Sequence, residues 1–462
     1  MEETLTYSYN IPSALHKTNG KDELRLAKYS EIQKASDAPC FFVGQVRQPF
    51  LMARCLIALS NVVKSSFNLS PAQLALLKDP IVSAGNERVR FEGFSHCAGV
   101  YARLDILPDG LNGEFLQSGT TNVDFNQPML SALAGVSNSE AVTLSVGQKS
   151  VGLHLENHQV IERKVPLPVK WIKGLSSVQV YLAQSAKGHQ FTKVQAQQLF
   201  RSLPKGQVKT DYYLQVRGTT PQFSPVKSVN AICIGGLHRL RLLEPLLPFV
   251  DCLQVFAQPD MQSTTWQLWF GDLRFTLSLS RDCWRGFSGE GATLDALNEG
   301  IDESWLTIFD EQAQANQTIS PAFFASGGSQ WLGKTDTLAA QLAAMGLLGY
   351  DLTDNAYFYR QLPFKLSRIM SLNPRLKGAE KLLQENKVEI ISQQPARTEA
   401  RVEGSGVRHT VILDANGERC TCEWFSKYQG QRGPCKHVLA VKKVLTYSPV
   451  ARFQVNRANR NR

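Results

Sequence analysis

No run of about 18 apolar residues occurs in the 462 positions, so no membrane-spanning helix is expected. The opening residues Met1-Glu2-Glu3-Thr4 lack the basic-then-apolar pattern of a secretory signal. Paired cysteines are scarce: of nine, the six at Cys40, Cys55, Cys97, Cys233, Cys252 and Cys283 are scattered, with no spacing that suggests a disulfide framework. Nucleophile elbows and spaced Ser, His and Asp sets are missing as well. These absences exclude a helical membrane protein and a disulfide-stapled secreted scaffold. They also favour a binding protein over an enzyme and a reducing, cytoplasmic setting.

What is present is ordinary globular composition, with 43% hydrophobic and 19% charged residues. The length suits two to four domains with sizeable cores. The expected class is α+β and multi-domain: an antiparallel-sheet-rich N-terminal body, a helical, winged-helix-like middle and a small C-terminal ββα zinc module. The boundaries are drawn at 1–290 (one or two subdomains), 291–395, 396–447 and a basic, disordered tail at 448–462.

Within the body, Leu51, Met52, Cys55, Leu56, Leu59, Val62, Val63 and Phe67 have helical spacing and predict a buried helix. Alternation predicts strands over 88–107 and on both sides of Gly147-Gln148, with strands and turns continuing to about 190. Helices are expected near 193–203 and 237–250. Trp266, Leu268 and Phe270 alternate before Gly271-Asp272, and Leu273, Phe275, Leu277 and Leu279 alternate after it, which predicts a hairpin on a type II′ turn. In the middle region, helices are expected over 294–315 and 336–345, then a hairpin around Thr353-Asp354-Asn355, then a helix capped by Asn373. Helix followed directly by hairpin is compatible with a winged helix, although the 336–345 helix is alanine-rich and offers few base-reading groups. Residues 387–398 read as a lead into the last module, with a hinge at Gln393–Arg397.

The densest chemistry lies near the C-terminus. Cys420-Thr421-Cys422 is followed after twelve residues by Cys435-Lys436-His437. Cysteines at i and i+2 on a strand share a face. Gly433-Pro434 marks a turn that also suits a helix start. Three thiolates and one imidazole form a closed tetrahedral set, the donor chemistry of structural rather than catalytic zinc. Trp424, Phe425 and Tyr428 can cover a site too small to build its own core.

This C-x-C-x12-C-x-H spacing, with Gly-Pro-Cys-Lys-His-Val-Leu-Ala around the second half, resembles the SWIM zinc finger. The resemblance covers about residues 396–447. It implies Cys420, Cys422, Cys435 and His437 as Zn2+ ligands holding a hairpin against a helix, and a role in binding nucleic acid, protein, or both. The stretch from Arg90-Phe91-Glu92-Gly93-Phe94-Ser95 to Gly119–Asn126 is similar to uncharacterised bacterial SWIM-containing proteins, without an implied activity.

Positive charge gathers in the same place. From Ala396 onward there are thirteen Lys or Arg against five Asp or Glu, so most of the net +10 lies there. Arg419, Lys427, Arg432, Lys436, Lys442 and Lys443 are the expected nucleic-acid contacts, with the basic tail either reaching phosphate or only aiding solubility. Two other features compete. Gly328-Ser329-Gln330-Trp331-Leu332-Gly333-Lys334-Thr335 satisfies the phosphate-loop pattern and would make the chain a nucleotide hydrolase. A proline-containing stretch precedes it, however, and no downstream strand ending in Asp is free. Asn122, Asp124 and Asn126, with Thr120 and Thr121, concentrate short polar groups that could form a ligand site beside Glu92, His96 and Asp105, or merely organise a turn. His154 and His158 lie in strand-like sequence, which disfavours a second metal site. The sequence reading is therefore a zinc-binding SWIM module that contacts nucleic acid or protein, with a nucleotide hydrolase or a scaffold recruiting a separate enzyme as alternatives.

Overall fold

The structure is a computed structural model. It describes residues 14–18, 21–25, 40–65, 80–167, 169–282, 286–288, 292–299, 318–319, 335–360, 362, 373–404, 406–430 and 432–447. The phosphate-loop pattern before Thr335, the continuation of the 294–315 helix past 299 and the basic tail lie outside the described residues.

In chain order, β1 (Ala14–Thr18) and β2 (Lys21–Arg25) form a hairpin. Next come β3 (Cys40–Val46), α1 (Pro49–Lys64), β4 (Ile81–Gly85), β5 (Arg88–Phe94), β6 (Val100–Ile106), β7 (Leu111–Phe115) and β8 (Gly119–Asn122). They are followed by α2 (Gln127–Gly135), β9 (Thr143–Gly147), β10 (Ser150–His154), β11 (Gln159–Arg163), α3 (Val169–Ala183), β12 (Ala186–Thr192) and α4 (Lys193–Arg201). The body closes with β13 (Tyr212–Arg217), β14 (Thr220–Ser224), β15 (Ile232–Ile234), a 3₁₀ segment (Leu237–Phe249), β16 (Cys252–Ala257), β17 (Ser263–Phe270) and β18 (Leu273–Ser280).

Its centre is an eight-stranded antiparallel sheet in the order β12-β16-β17-β18-β6-β5-β4-β8. A five-stranded sheet, β11-β10-β9-β3-β7, and a three-stranded one, β14-β13-β15, accompany it. Gly271 turns β17 into β18 at φ 59° while Asp272 stays out of the left-handed region, as a type II′ turn requires. Helix α1 starts on Pro49, whose fixed φ suits the first helical position. Its buried Met52, Cys55, Leu56, Leu59, Val62 and Val63 pack against β5 and β6. Each such side chain contributes roughly 1.5–3 kcal/mol by leaving water.

The opposite face of the large sheet is polar. In register across β5, β6 and β18 lies the row Arg90, Asp105 and Arg274, beside the row Glu92, Arg103 and Thr276. These side chains are buried, so each needs partners. Arg90 Nε donates to Asp105 Oδ1 at 3.1 Å and Arg103 Nε to Oδ2 at 3.0 Å, and Arg274 also contacts Asp105. The rest of the pairing comes from a distant hairpin, β20 (Leu348–Asp351) and β21 (Ala356–Tyr359), itself extended by β19 (Thr318–Ile319). Asp351 accepts two bonds from Arg274, the Tyr350 carbonyl accepts from Arg103 at 2.9 Å, and Arg360 clamps Glu92.

Ahead of that hairpin stand α5 (Ala292–Glu299) and α6 (Thr335–Ala344). The order of α6 then hairpin matches a winged helix. Yet Leu338, Ala339, Gln341, Leu342, Ala343 and Ala344 are all buried, and α6 packs on α3, α5 and β20. Among the described side chains α6 is mainly a core helix, with Thr337 exposed, and its burial disfavours the reading of a recognition element.

The last elements are α7 (Pro374–Gln384), β22 (Val388–Gln394), β23 (Arg397–Gly404), β24 (Val407–Asp414), β25 (Gly417–Cys420), α8 (Glu423–Tyr428) and α9 (Lys436–Tyr447). Asn373 occupies the N-cap of α7 but makes no capping bond with its side chain. The expected hinge at 393–397 is instead the turn joining β22 to β23, paired in register from Gln394↔Arg397.

Candidate metal centre

The module is a four-stranded antiparallel sheet, β22-β23-β24-β25, with α9 packed across all four strands and the short α8 beside β25. Buried Ala400, Val402 and Val411 face Val438, Leu439 and Val441 of α9 in one apolar cluster. That cluster does not stop at the module. Leu376, Ala379 and Leu382 of α7, Leu294 and Leu297 of α5 and Ile172 of α3 belong to it.

The four sequence-predicted ligands meet there. One donor atom from each of Cys420, Cys422, Cys435 and His437 lies within 4.8 Å of the others, and all four residues are buried. His437 Nδ1 is 3.8 Å from the Cys420 sulfur and 3.9 Å from the Cys435 sulfur. Zinc–sulfur and zinc–nitrogen bonds at tetrahedral angles span an edge of roughly 3.6 Å, so Nδ1 is the nitrogen placed to ligate. Nε2 of the same ring has no partner among the described residues, and the His437 and His409 ring centroids are 4.5 Å apart.

Local structure explains why these sulfurs suit a cation. Strand β25 ends at Cys420, and Cys422 is the N-cap of α8, its sulfur accepting from the Phe425 amide at 3.5 Å. Cys435 directly precedes α9, and its sulfur accepts from the Val438 amide at 3.5 Å. Two sulfurs therefore sit at helix N-termini, where amide dipoles stabilise a thiolate. The crowding also sets the thiols against one another. Hydrogen bonds from Cys420 and Cys435 hold Cys422 far below the ordinary thiol range, while bonding to Cys422 and Cys435 together with burial pushes Cys420 far above it. A divalent cation removes that conflict by letting all three ionise. The donor set and spacing fit Zn2+ held by Cys420, Cys422, Cys435 and His437. Bound there, it would cross-link β25, α8 and α9, with no ligand position open for chemistry.

The chain reaches the second half-site through Gln429, Gly430 and Gly433, all at positive φ. Arg375 of α7 fastens this loop. Its Nη1 donates to the carbonyls of Arg432 at 2.9 Å and Pro434 at 2.6 Å, and its guanidinium lies 4.6 Å from the Trp424 ring centroid. Nothing in the spacing of Arg375, outside the module in sequence, signals that task.

The six predicted contact cations do not form one free patch. Arg419 pairs with Asp414, and Arg432 with Asp282 of the body at 2.9 Å. Lys443 pairs with Glu380 of α7 at 3.2 Å, and Lys442 bridges Asp295 of α5 and Glu418. Lys427 and Lys436 have no carboxylate partner among the described residues. Lys427 reaches over the Tyr428 ring at 5.5 Å, as does Arg432 at 4.5 Å.

The proposed ligand trio also has partners. Asn122 donates its amide to the Val165 carbonyl. Asn126 donates to Glu162 at 2.9 Å and sits at the N-cap position of α2. Asp124 accepts at its carbonyl from the Asn126 backbone amide at 3.0 Å. Glu92 and Asp105, the expected neighbours, belong to the arginine network instead. His154 bonds Ser145 and Gln159 within its own sheet.

Comparison with known proteins agrees with this geometry at the module. Residues 409–445 match the family model of the SWIM zinc finger, so the chain carries that finger. No curated protein matches the chain. Among solved structures, the Proliferating Cellular Nuclear Antigen of Entamoeba histolytica is similar at 10% identity and a TM-score of 0.35, covering 52% of this chain and 98% of that one. The PCNA2-PCNA3 complex of Sulfolobus tokodaii is similar at 7% identity and a TM-score of 0.38, covering 52% and 99%. Likeness at that level carries no argument here. No helix among the described residues is long and apolar enough to cross a membrane.

Proposed function

We propose that this chain is a zinc-stabilised binding protein whose finger engages nucleic acid, single strands in preference to duplex, and that it acts by binding rather than catalysis. The observation that carries this reading is the aromatic and cationic cluster at α8, in which the Trp424 and Tyr428 rings are tilted 56° to each other. Trp424 and Tyr428 have ring centroids 4.5 Å apart, with Lys427 and Arg432 over Tyr428 and Arg375 over Trp424. Rings interleaved with cations stack unpaired bases and meet the adjacent phosphates. The ion pairs of Arg419, Arg432, Lys442 and Lys443 are partly exposed, and such pairs contribute only about 0–1 kcal/mol each, so phosphate can compete for those cations. Zinc maintains the cluster indirectly, because Cys422 both ligates and caps α8.

The test is a titration of the zinc-loaded chain against single-stranded and duplex oligonucleotides at rising salt. Binding that weakens steeply with salt and favours single strands is expected. Absence of binding even at low salt rejects the proposal.

A further inference from the structure

Among the described residues the arginine network of the body holds more cations than carboxylates, and two of its arginines line a cavity. Four fully buried arginines, Arg90, Arg103, Arg274 and Arg360, face three buried carboxylates, Glu92, Asp105 and Asp351. Adding the rim pair Arg88–Asp354 leaves one cation in excess among the described residues. Between the β4–β8 edge of the large sheet and β21 lies a cavity of about 480 Å³ that Arg90 and Arg360 both line. Among the described residues, Arg90 Nη2 and Arg360 Nε and Nη2 have no hydrogen-bond partner, and neither does Ser118 Oγ on the same wall. Ser83 and Thr120, bonded to each other at 3.1 Å, complete a rim of hydroxyls. Burying a donor without a partner costs about 1–3 kcal/mol. Arg90 and Arg360 keep their ion pairs with Asp105 and Glu92, and an anion in the cavity would satisfy the donors that those pairs leave over.

We propose that this cavity binds a phosphate-bearing small metabolite, its oxyanion held by Arg90, Arg360 and the hydroxyls of Ser118 and Thr120. Guanidinium groups match phosphate geometry, and hydroxyls donate to the remaining oxygens. The volume falls within the range of small-molecule sites and exceeds what a lone oxyanion requires. The site is separate from the finger and independent of nucleic-acid binding.

The experiment uses the full zinc-loaded chain in a chloride buffer of low ionic strength, titrated calorimetrically with inorganic phosphate and with glucose 6-phosphate. Saturable binding of one equivalent is expected for either probe, with tighter binding of the sugar phosphate assigning the remaining volume to an organic moiety. Substituting Ser118→Asp supplies the missing negative charge from the protein. It is expected to abolish phosphate binding while raising the thermal midpoint. Thr120→Val, which preserves shape, is expected to weaken binding on the order of fivefold. A Lys427→Ala/Arg432→Ala chain should bind phosphate as before, which separates the cavity from the finger. The inference is overturned if neither probe binds saturably, if binding persists unchanged in both wall variants, or if it is lost in the finger variant.

Discussion

Lys442 Nζ lies 2.7 Å from Asp295 Oδ1, joining the last helix of the finger to a helix 147 positions earlier. Three residues further along α5, the Asn298 side chain donates to the Leu439 carbonyl at 3.0 Å inside the shared core. The finger is thus docked by a half-exposed ion pair and by a buried polar bond, and the two are not equal. Solvent screens Lys442–Asp295, whereas the Asn298 bond, a second one to a carbonyl of helix α9, is shielded from water. Asp295→Ala is expected to cost less than about 1 kcal/mol. Asn298→Ala is expected to cost about 0.5–1.5 kcal/mol and to loosen α9 selectively. Hydrogen exchange at α9 amides and urea midpoints of the two variants check the ranking.

Zinc should matter beyond the finger for the same reason. Because Val438, Leu439 and Val441 share a cluster with Leu376 of α7 and Leu294 of α5, releasing Cys435 releases one wall of that cluster. Cys435→Ser is expected to lose stoichiometric zinc and to increase exchange in α7 as well as in α8 and α9. Elemental analysis together with exchange mapped by peptide tests both halves. Zinc loss with α7 unaffected would mean that the finger is an independent appendage.

The Glu92–Arg360 contact holds the β20–β21 hairpin to the sheet. Both side chains are fully buried, and Tyr101 also donates to Glu92. Removing one member of a buried pair leaves the other charge uncompensated, at about 3–5 kcal/mol. Arg360→Met and Glu92→Leu are each expected to destabilise by that order. The double variant should cost less than the sum, because no orphan charge remains. Urea midpoints of the four chains close the cycle.

Acid should act on the same face of the sheet. Burial pushes the Asp105 and Asp351 carboxyls up, but Arg103 and Arg274 outweigh it and hold both below the ordinary value near 3.8. Below about pH 4 the unfolded chain therefore binds more protons than the folded one, and stability falls as pH falls. Above that window the contribution is fully present. Asp351→Asn is expected to be less stable at neutral pH and to show a shallower loss between about pH 4 and 2. Making the comparison in the Cys435→Ser background removes the acid release of zinc from the measurement.

Legibility followed the range of the interactions. The ligand set was readable because cysteine and histidine at short spacing leave few alternatives, and the β17–β18 hairpin because Gly271-Asp272 interrupts strict alternation. Helix α3 was not. Trp171, Ile172, Leu175, Val178 and Leu182 are buried, and so are Ser176, Ser177 and Gln179, so no polar stripe marks a helical period and the β-branched residues suggest strand. Strand β4 was missed because Asn86 and Glu87, both at φ 53°, make its turn with a residue pair that is seldom left-handed. Strand alternation puts Arg90, Asp105 and Arg274 on the side opposite the apolar residues, and nothing local in the sequence says that this side is covered. Only the hairpin, some 250 residues away along the chain from Arg90, reveals that it is covered.

The cluster at α8 separates charge from shape in nucleic-acid binding. If Lys427 and Arg432 meet phosphates, the Lys427→Ala/Arg432→Ala chain binds every sequence more weakly. Its salt dependence should then be shallower by roughly 0.7 per lost contact on single strands. If Tyr428 stacks a base, Tyr428→Leu leaves the salt dependence intact and weakens single strands by about 1–3 kcal/mol, with little effect on duplex. Leucine keeps an apolar contact with Trp424, so α8 should remain folded, and unchanged zinc content verifies that. Equal losses on duplex and single strands in the Tyr428 variant would assign the ring to supporting Arg432 rather than to stacking a base.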